Sequence, residues 1–185
     1  MLLLALALSP GLVWAESVGV SSQASAPDRN YGNLRVGAAT ASSRPEICLE
    51  LSPTASIGLE ACGTGKGIWH NDPGDQVARF RGHATLASWH SRLGYIQPRI
   101  GLGLAELQVG EDELGFDLSG TGPRGTETAG PEVSVSMRTL TPLKGGFELV
   151  TLIELSAAYF HHAPALIRPR RTLHRAASVS FGFGF

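Results

Sequence analysis

The chain has 185 residues, of which 43% are hydrophobic and 17% are charged, and its formal net charge is -1. This length fits one domain of ordinary size, and the hydrophobic fraction is sufficient for a sizeable core or a membrane-facing surface. The charge argues against nucleic acid as a partner, because nucleic-acid-binding proteins generally carry a basic excess that neutralises phosphates.

The first fifteen residues have the pattern of a secretory signal peptide. An apolar run over residues 1–8 is followed by Val13-Trp14-Ala15, which ends on a small residue and predicts cleavage after Ala15. A segment of about 15 residues is shorter than the ~20 that a spanning helix needs, so we expect a targeting peptide rather than an anchor. Residues 16–30 are rich in Ser and Ala and are predicted to form a flexible segment before the folded domain.

The rest of the chain is divided into short stretches by glycine and proline, of which the sequence has 23 and 11. In most stretches apolar residues recur at every second position, which is the period of a β-strand. No apolar run beyond residue 15 approaches the length of a membrane-spanning helix, which argues against a helical membrane protein. The predicted strands cover residues 31–40, 46–52, 57–63, 76–90, 95–109, 131–140, 147–161 and 173–185.

The connections between these eight strands nearly alternate between short and long. The second, fourth and sixth are short, at residues 53–56, 91–94 and 141–146. The third, fifth and seventh are longer, at residues 63–75, 110–130 and 162–172, whereas the first, 41–45, is a short exception. Short turns on one side and longer loops on the other are typical of an outer-membrane barrel, with both chain ends on the periplasmic side.

The alternation also separates two faces of different chemistry. One face carries large apolar residues, such as Leu34, Leu102 and Leu155, and is almost free of charge. A soluble barrel turns such a face inward, whereas a small membrane barrel turns it outward. The other face balances five arginines against five glutamates, and this favours a packed interior where buried ions pair with one another. The predicted interior ionic network comprises Arg35, Glu50, Glu60, Arg79, Arg81, Arg99, Glu132, Arg138, Glu148 and Glu154.

The last strand alternates small residues with Val179, Phe181, Phe183 and the terminal Phe185. Together with the strand pattern, this ending resembles the small eight-stranded bacterial outer-membrane β-barrel family, which includes the transmembrane domain of outer membrane protein A. The resemblance covers about residues 31–185 and implies an all-β, eight-stranded antiparallel up-and-down transmembrane β-barrel. It also implies that these four residues form the signal that the barrel assembly machinery recognises. Strands of only seven residues depart from the family pattern, since a tilted membrane strand needs ~9 to 11.

The two cysteines, Cys48 and Cys62, lie on neighbouring predicted strands and on the face assigned to the interior. Pairing them centres the hairpin on Ala55, inside the turn at residues 53–56, so their register and their face agree. An exported, oxidising compartment permits a disulfide. We therefore predict a structural disulfide rather than a metal site, since two thiols without a nearby histidine make a poor ligand set.

Candidates for catalysis are few. His90 and Ser91 are adjacent at a short turn, but neighbouring strand residues point to opposite faces, whereas a nucleophile and its base must share hydrogen-bond reach. We therefore expect no enzymatic activity, no catalytic residues, no cofactor and no metal. A lipid A modifying enzyme stays open as an alternative, as does an exported soluble lipocalin-like barrel that binds a small apolar ligand.

The last long loop is basic and the loop before it is acidic. If the basic loop is external, Arg168, Arg170 and Arg171 are candidate contacts for lipopolysaccharide phosphates. A solvated loop ordered only by its prolines is the alternative, and the acidic loop, with Glu111 and Asp117, has no recognisable calcium-loop spacing. The histidines that accompany the basic residues are His161, His162 and His174.

The function that these patterns predict is non-enzymatic: a structural or surface-exposed barrel in the bacterial outer membrane. Its interior would be packed, ionic and largely non-conducting, because eight strands enclose only enough space for side chains. The expected partners are outer-membrane lipid, lipopolysaccharide and, during biogenesis, the barrel assembly machinery. We expect a monomer that is exported through a cleaved signal peptide.

Overall fold

The computed structural model describes residues 31–42, 44–64, 75–92, 94–109, 127–168 and 170–185. The predicted signal peptide and the segment at residues 16–30 lie outside the described residues. The β-segments are β1 (Tyr31–Ala39), β2 (Pro45–Ser52), β3 (Ile57–Gly63), β4 (Asp75–Thr85), β5 (Trp89–Ser91), β6 (Gly94–Val109), β7 (Glu127–Pro142), β8 (Glu148–Tyr159) and β9 (Leu173–Gly184). The described helical elements are a 3₁₀ turn (Lys144–Gly146) and one short helix, α1 (Ala163–Leu166), and neither could cross a bilayer.

The strands form one closed antiparallel barrel. Each strand pairs with its neighbours in sequence, and β9 returns to pair with β1, for example Phe181 with Val36. Segments β4 and β5 both pair with β6, one after the other along its length, so they are two parts of one barrel strand. The barrel therefore has eight strands, and the predicted eight-stranded antiparallel up-and-down topology is confirmed.

The predicted strand at residues 76–90 is interrupted, which corrects the sequence-based boundaries. Thr85 pairs with Arg99 and Trp89 pairs with Ile96, so three residues of this strand lie opposite two residues of β6. An extra residue on one side of a ladder produces a β-bulge. Pro98 lies at this position and cannot donate a backbone hydrogen bond, which explains the break.

Strand β7 begins at Glu127, four residues before the predicted start at 131, and the fifth connection is correspondingly shorter. Residues 127–130 pair with residues 105–108 of β6, but their sequence lacks apolar alternation, so periodicity did not reveal them. Strands β2 and β3 contain 8 and 7 residues. They are therefore as short as the sequence predicted.

The two ends of the barrel differ. The turn end contains the turns after β2, β5 and β7, together with Tyr31 and Phe185. The opposite end, called the loop end, is where β1, β3, β6 and β8 end. Gly94, the first residue of β6 after the turn, has a φ of 120°, a conformation that glycine adopts without steric cost. Side chains of alternate residues line an inner wall, around the lumen, and an outer wall.

Candidate functional site: the lumen and the loop end

All ten residues of the predicted ionic network are buried on the inner wall. They come from every strand of the barrel except β9, and the lumen is narrow enough for side chains from opposite strands to meet. Arg138 and Glu50, for instance, are 88 positions apart in sequence and form a hydrogen-bonded ion pair. The ion pairs form two groups, one around Glu50 and one around Glu60 and Arg81.

The first group is centred on Glu50. Arg99 donates from both terminal nitrogens, with Nη2 2.7 Å from Oε1 and Nη1 3.1 Å from Oε2. Arg138 Nη1 lies 2.7 Å from Oε1, and Arg35 Nη2 lies 3.3 Å from Oε2. Ser52 also donates to Oε1, at 3.0 Å. One carboxylate therefore accepts from three guanidinium groups and a hydroxyl.

The second group is centred on Glu60 and Arg81. Arg81 donates to Glu60 Oε1 from Nε at 2.9 Å and from Nη2 at 2.6 Å. The same guanidinium contacts Glu132 Oε2 at 3.3 Å and Glu154 Oε1 at 2.6 Å. Arg35 forms an ion pair with Glu60 as well as with the carboxylate at the centre of the first group, so it links the two groups.

Glu46 belongs to the network although the sequence reasoning did not include it. Arg79 Nη1 donates to Glu46 Oε2 at 2.9 Å, and Arg79 Nε lies 3.2 Å from Glu132 Oε1. The alternation pattern could have identified Glu46, because it is four residues from Glu50 on the same strand and therefore points to the same wall. Neutral polar groups were also missed: Gln97 accepts from Arg138 at 2.7 Å, and several others complete the inner wall. The further buried polar residues of the inner wall include Asn33, Ser52, His83, Ser134, Ser136 and Ser180.

One set of inner-wall residues has the composition of a metal site. Glu60, His83 and Glu154 place one ligand atom each within 4.8 Å of one another. Arg81, however, contacts both carboxylates at 2.6 Å, so a guanidinium already occupies the position that a cation would need. A divalent ion there would have to displace a paired arginine, and the arrangement is better suited to an ion-pair network than to metal binding.

A disulfide joins Cys48 of β2 to Cys62 of β3, two residues that are directly opposite in the ladder. Both cysteines are buried on the inner wall, in the register that the sequence predicted. The bond therefore cross-links the hairpin formed by the two shortest strands.

The loop end of the lumen contains an apolar plug, which could not be identified from the sequence. Phe160 and Ala163, from the connection after β8, are fully buried against Val77 and Leu107, a cross-strand pair. Other members of the plug are Ala105, Ala158 and the partly buried Ala41 and Ile167. The connection is fixed by its own backbone, since the Phe160 amide donates to the Thr172 carbonyl at 2.8 Å.

The outer wall is apolar. Leu34, Leu102 and Leu155, from three different strands, are 52%, 66% and 58% exposed. Almost every apolar residue assigned to this face is likewise exposed, from Val36 in β1 to Phe183 in β9. The four residues of the predicted assembly signal are all on this wall. Their exposed side chains are those of Val179, Phe181, Phe183 and Phe185.

The candidate catalytic residues at the turn end have separate contacts. His90 packs its ring against Tyr95 with centroids 5.3 Å apart, and Ser91 Oγ donates to the Gly94 carbonyl at 3.0 Å. Both side chains therefore make contacts within the hairpin turn.

The basic residues of the last loop are not gathered into one cluster. Arg170 and Arg171 line an open groove of about 580 Å³ with Thr172, Leu173 and Arg175, whereas Arg168 does not line it. His174 packs its ring against Phe160 at 5.2 Å and so belongs with the plug. His161 and His162 contact each other, with centroids 4.8 Å apart. The acidic loop at residues 111–117 lies outside the described residues.

Comparison with known proteins gives a likeness of fold. No protein-family model matches the chain, and no curated protein matches its sequence. Among solved structures, the chain is similar to the N-terminal β-barrel domain of Pseudomonas aeruginosa OprF, with 10% sequence identity and a TM-score of 0.46. The alignment covers 85% of this chain and 99% of that one.

Proposed function

We propose that this chain is a bacterial outer-membrane β-barrel protein with a structural or surface-exposed role. The observation that carries the proposal is the inversion of the two walls: large apolar side chains are exposed outside, and charged side chains are buried inside. Exposing apolar surface to water costs about 25 cal/mol per Å², and soluble monomers rarely expose large contiguous apolar patches. A hydrocarbon environment removes this cost, so the outer wall fits a bilayer.

The height of the apolar wall supports the same proposal. On β8 the outward residues run from Leu149 through Ile153 to Ala157, a stretch of nine residues, and a tilted membrane strand needs ~9 to 11. A lipocalin-like carrier would need an apolar lumen, whereas the middle of this lumen is filled by ion pairs.

We further propose that the lumen is largely non-conducting. Two barriers lie in series along it: the ion-pair network in the middle and the apolar plug, with Phe160 at 0% exposure, at the loop end. Eight-stranded barrels enclose little more than the volume of their own side chains. An ion would therefore have to break paired arginines and also cross an apolar constriction.

The partners follow from this location. Outer-membrane lipid would surround the apolar wall, and the outward residues of the last strand, ending at Phe185, would serve as the signal for the barrel assembly machinery. Cleavage of the signal peptide after Ala15, a monomeric state and the absence of enzymatic activity belong to the same proposal.

The test is fractionation of cells that express the full chain, combined with electrophoresis of unheated and boiled samples. We expect the protein in the outer-membrane fraction, and an unheated band that migrates differently from the boiled one because a closed barrel resists detergent. A soluble periplasmic pool without a heat-dependent shift would overturn the proposal. In planar bilayers the purified barrel should give no sustained open-channel current, and its overexpression should leave lipid A chemically unchanged.

A further inference from the structure

The groove defined above lies at the loop end, where β9 begins. Its lining residues are Arg170, Arg171, Thr172, Leu173 and Arg175. All three arginines are exposed, in contrast to the five arginines of the lumen, which are buried and paired with glutamates. Within the described residues, no carboxylate forms an ion pair with Arg168 or with any arginine of the groove. The groove therefore presents three cationic groups whose charge is not neutralised by neighbouring described side chains.

The backbone that carries these arginines is held in place. Thr172 accepts a hydrogen bond from the Phe160 amide at 2.8 Å, and the Arg171 carbonyl contacts His174 Nε2 at 2.8 Å. Arg175 is in the ladder of β9, paired with Ala157. Anchoring on the plug and on a strand lowers the entropy cost of presenting the arginines together.

The position of Arg175 relative to the apolar wall indicates what the groove binds. Arg175 and Leu173 are both exposed on the outer wall of β9, and Val179 and Phe181 follow on the same wall toward the turn end. At ~3.4 Å per residue, Arg175 lies about 14 Å along the strand from Val179. It marks the edge of the apolar wall, where lipid headgroups lie when acyl chains cover the wall.

We propose that this groove binds the phosphate of a phosphorylated glycolipid of the outer leaflet, with its acyl chains against the apolar wall below Arg175. Guanidinium groups donate bidentate hydrogen bonds to phosphate oxygens, and three arginines line this one groove. The inference rests on the proposed membrane location, and it adds a defined site and a ligand chemistry.

The test uses the full chain, folded in detergent, with lipid A as the probe and native mass spectrometry as the readout of bound lipid. Each arginine near a headgroup contributes roughly 1 kcal/mol, so Arg175→Gln should weaken binding about fivefold. Arg168→Gln is the matched control, since it removes one exposed arginine from the same loop without touching the groove. The triple variant R170Q/R171Q/R175Q should weaken binding ~100-fold.

Two further binding measurements identify the chemical class of the ligand. Lipid A without phosphates should bind the wild-type chain as weakly as phosphorylated lipid A binds the triple variant, and millimolar inorganic phosphate should not displace lipid A. Equal losses in the Arg175→Gln and Arg168→Gln variants, or equal binding of dephosphorylated lipid A, would overturn the groove as a phosphate site. Full displacement by inorganic phosphate would overturn the assignment to a lipid.

The heat-dependent band shift is recorded on the same samples, so the two proposals can fail separately. A variant whose band shifts on heating as the wild-type band does has folded. Its affinity for lipid A then tests whether the groove binds phosphate. Loss of the shift in the wild-type chain would count against the membrane barrel itself.

Discussion

Replacing Glu50 with glutamine should destabilise the folded barrel by about 3–5 kcal/mol, the usual cost of removing one partner from a buried ion pair. Glutamine has nearly the same shape, so the change removes the charge and leaves the packing of the lumen intact. Its effect therefore reports on the electrostatics of the network rather than on lost volume.

The expected loss of stability follows from the partners that each arginine keeps when Glu50 is replaced. Arg35 keeps its ion pair with Glu60, and Arg138 keeps two hydrogen bonds to Gln97, at 2.9 and 2.7 Å. The remaining arginine, Arg99, has no other carboxylate partner among the described residues. Most of the cost therefore comes from leaving one guanidinium buried without its counter-ion.

The comparison variant is Glu46→Gln, the same chemical change in the same lumen. Glutamine at this position can still accept a hydrogen bond from Arg79 but carries no charge, and Arg79 keeps Glu132 at 3.2 Å. We therefore expect a smaller loss, at most the ~1.5–3 kcal/mol of one charged hydrogen bond. Both free energies of unfolding can be measured by urea titration in lipid vesicles, with tryptophan fluorescence as the probe.

A double variant, Glu50→Gln with Arg99→Met, tests whether the unpaired guanidinium causes this loss. Removing both partners avoids the unpaired charge, so this variant should be more stable than Glu50→Gln alone. If the lumen instead behaves like bulk water, Glu50→Gln costs only about 0–1 kcal/mol, as for a surface pair, and the second substitution recovers nothing. That result would refute the reasoning from a closed, desolvated network.

Other substitutions test the outer wall, the packing of the lumen and the disulfide. In vesicles, Leu102→Arg should cost ~2–4 kcal/mol and Leu86→Arg, near the turn end, ~0–1, whereas equal costs would contradict the depth assigned to Leu102. Gly58→Ala would place a Cβ 2.9 Å from Glu50 Oε1 and should cost about 1–3 kcal/mol in urea unfolding. Gly63→Ala, which meets nothing within 4 Å, should be near neutral, and similar losses at both glycines would exclude crowding as the cause. Changing both cysteines to serine should lower the unfolding free energy by about 3 kcal/mol, the entropy of a loop of about 15 residues, and an unchanged urea midpoint would contradict a stabilising bond.

Strand periodicity was sufficient to predict the topology, because every barrel strand must alternate between two environments of opposite polarity. Leu34 and Arg35 illustrate this: adjacent in sequence, they are 52% and 0% exposed. The bulge at residues 86–88 could not be read from the pattern, because it depends on Pro98 of the partner strand lying opposite.

The contents of the lumen were less predictable than its position. The alternation along a strand identifies the inward residues only where inward and outward residues differ in polarity. On β8, apolar residues occur on both walls. Val150 and Leu152 are inward and buried, at 0% and 3%, between the outward Leu149 and Ile153. The plug could not be predicted for the same reason, because Phe160 is an apolar residue that faces inward.

Which arginine pairs with which glutamate depends on how far the strands are shifted along one another in the closed barrel. The sequence of a single strand does not specify this shift. Glu50 meets Arg99 and Arg138 across the lumen, although β2 pairs only with β1 and β3 in the sheet. The sequence could therefore place five arginines and five of the glutamates on one face without indicating which pairs form or that Glu46 joins them.

The charged residues of the lumen also hold in place the hairpin formed by β2 and β3. These strands share five registered pairs, against fourteen between β6 and β7, so few ladder hydrogen bonds hold them together. They carry Glu46, Glu50 and Glu60, and the arginines that pair with these glutamates come from β1, β4, β6 and β7. The disulfide fixes the hairpin internally, and the ion pairs connect it to the adjacent strands β1 and β4 and, across the lumen, to β6 and β7. Since side-chain contacts across the lumen replace part of the missing ladder, a short hairpin can remain in a barrel whose other strands are longer.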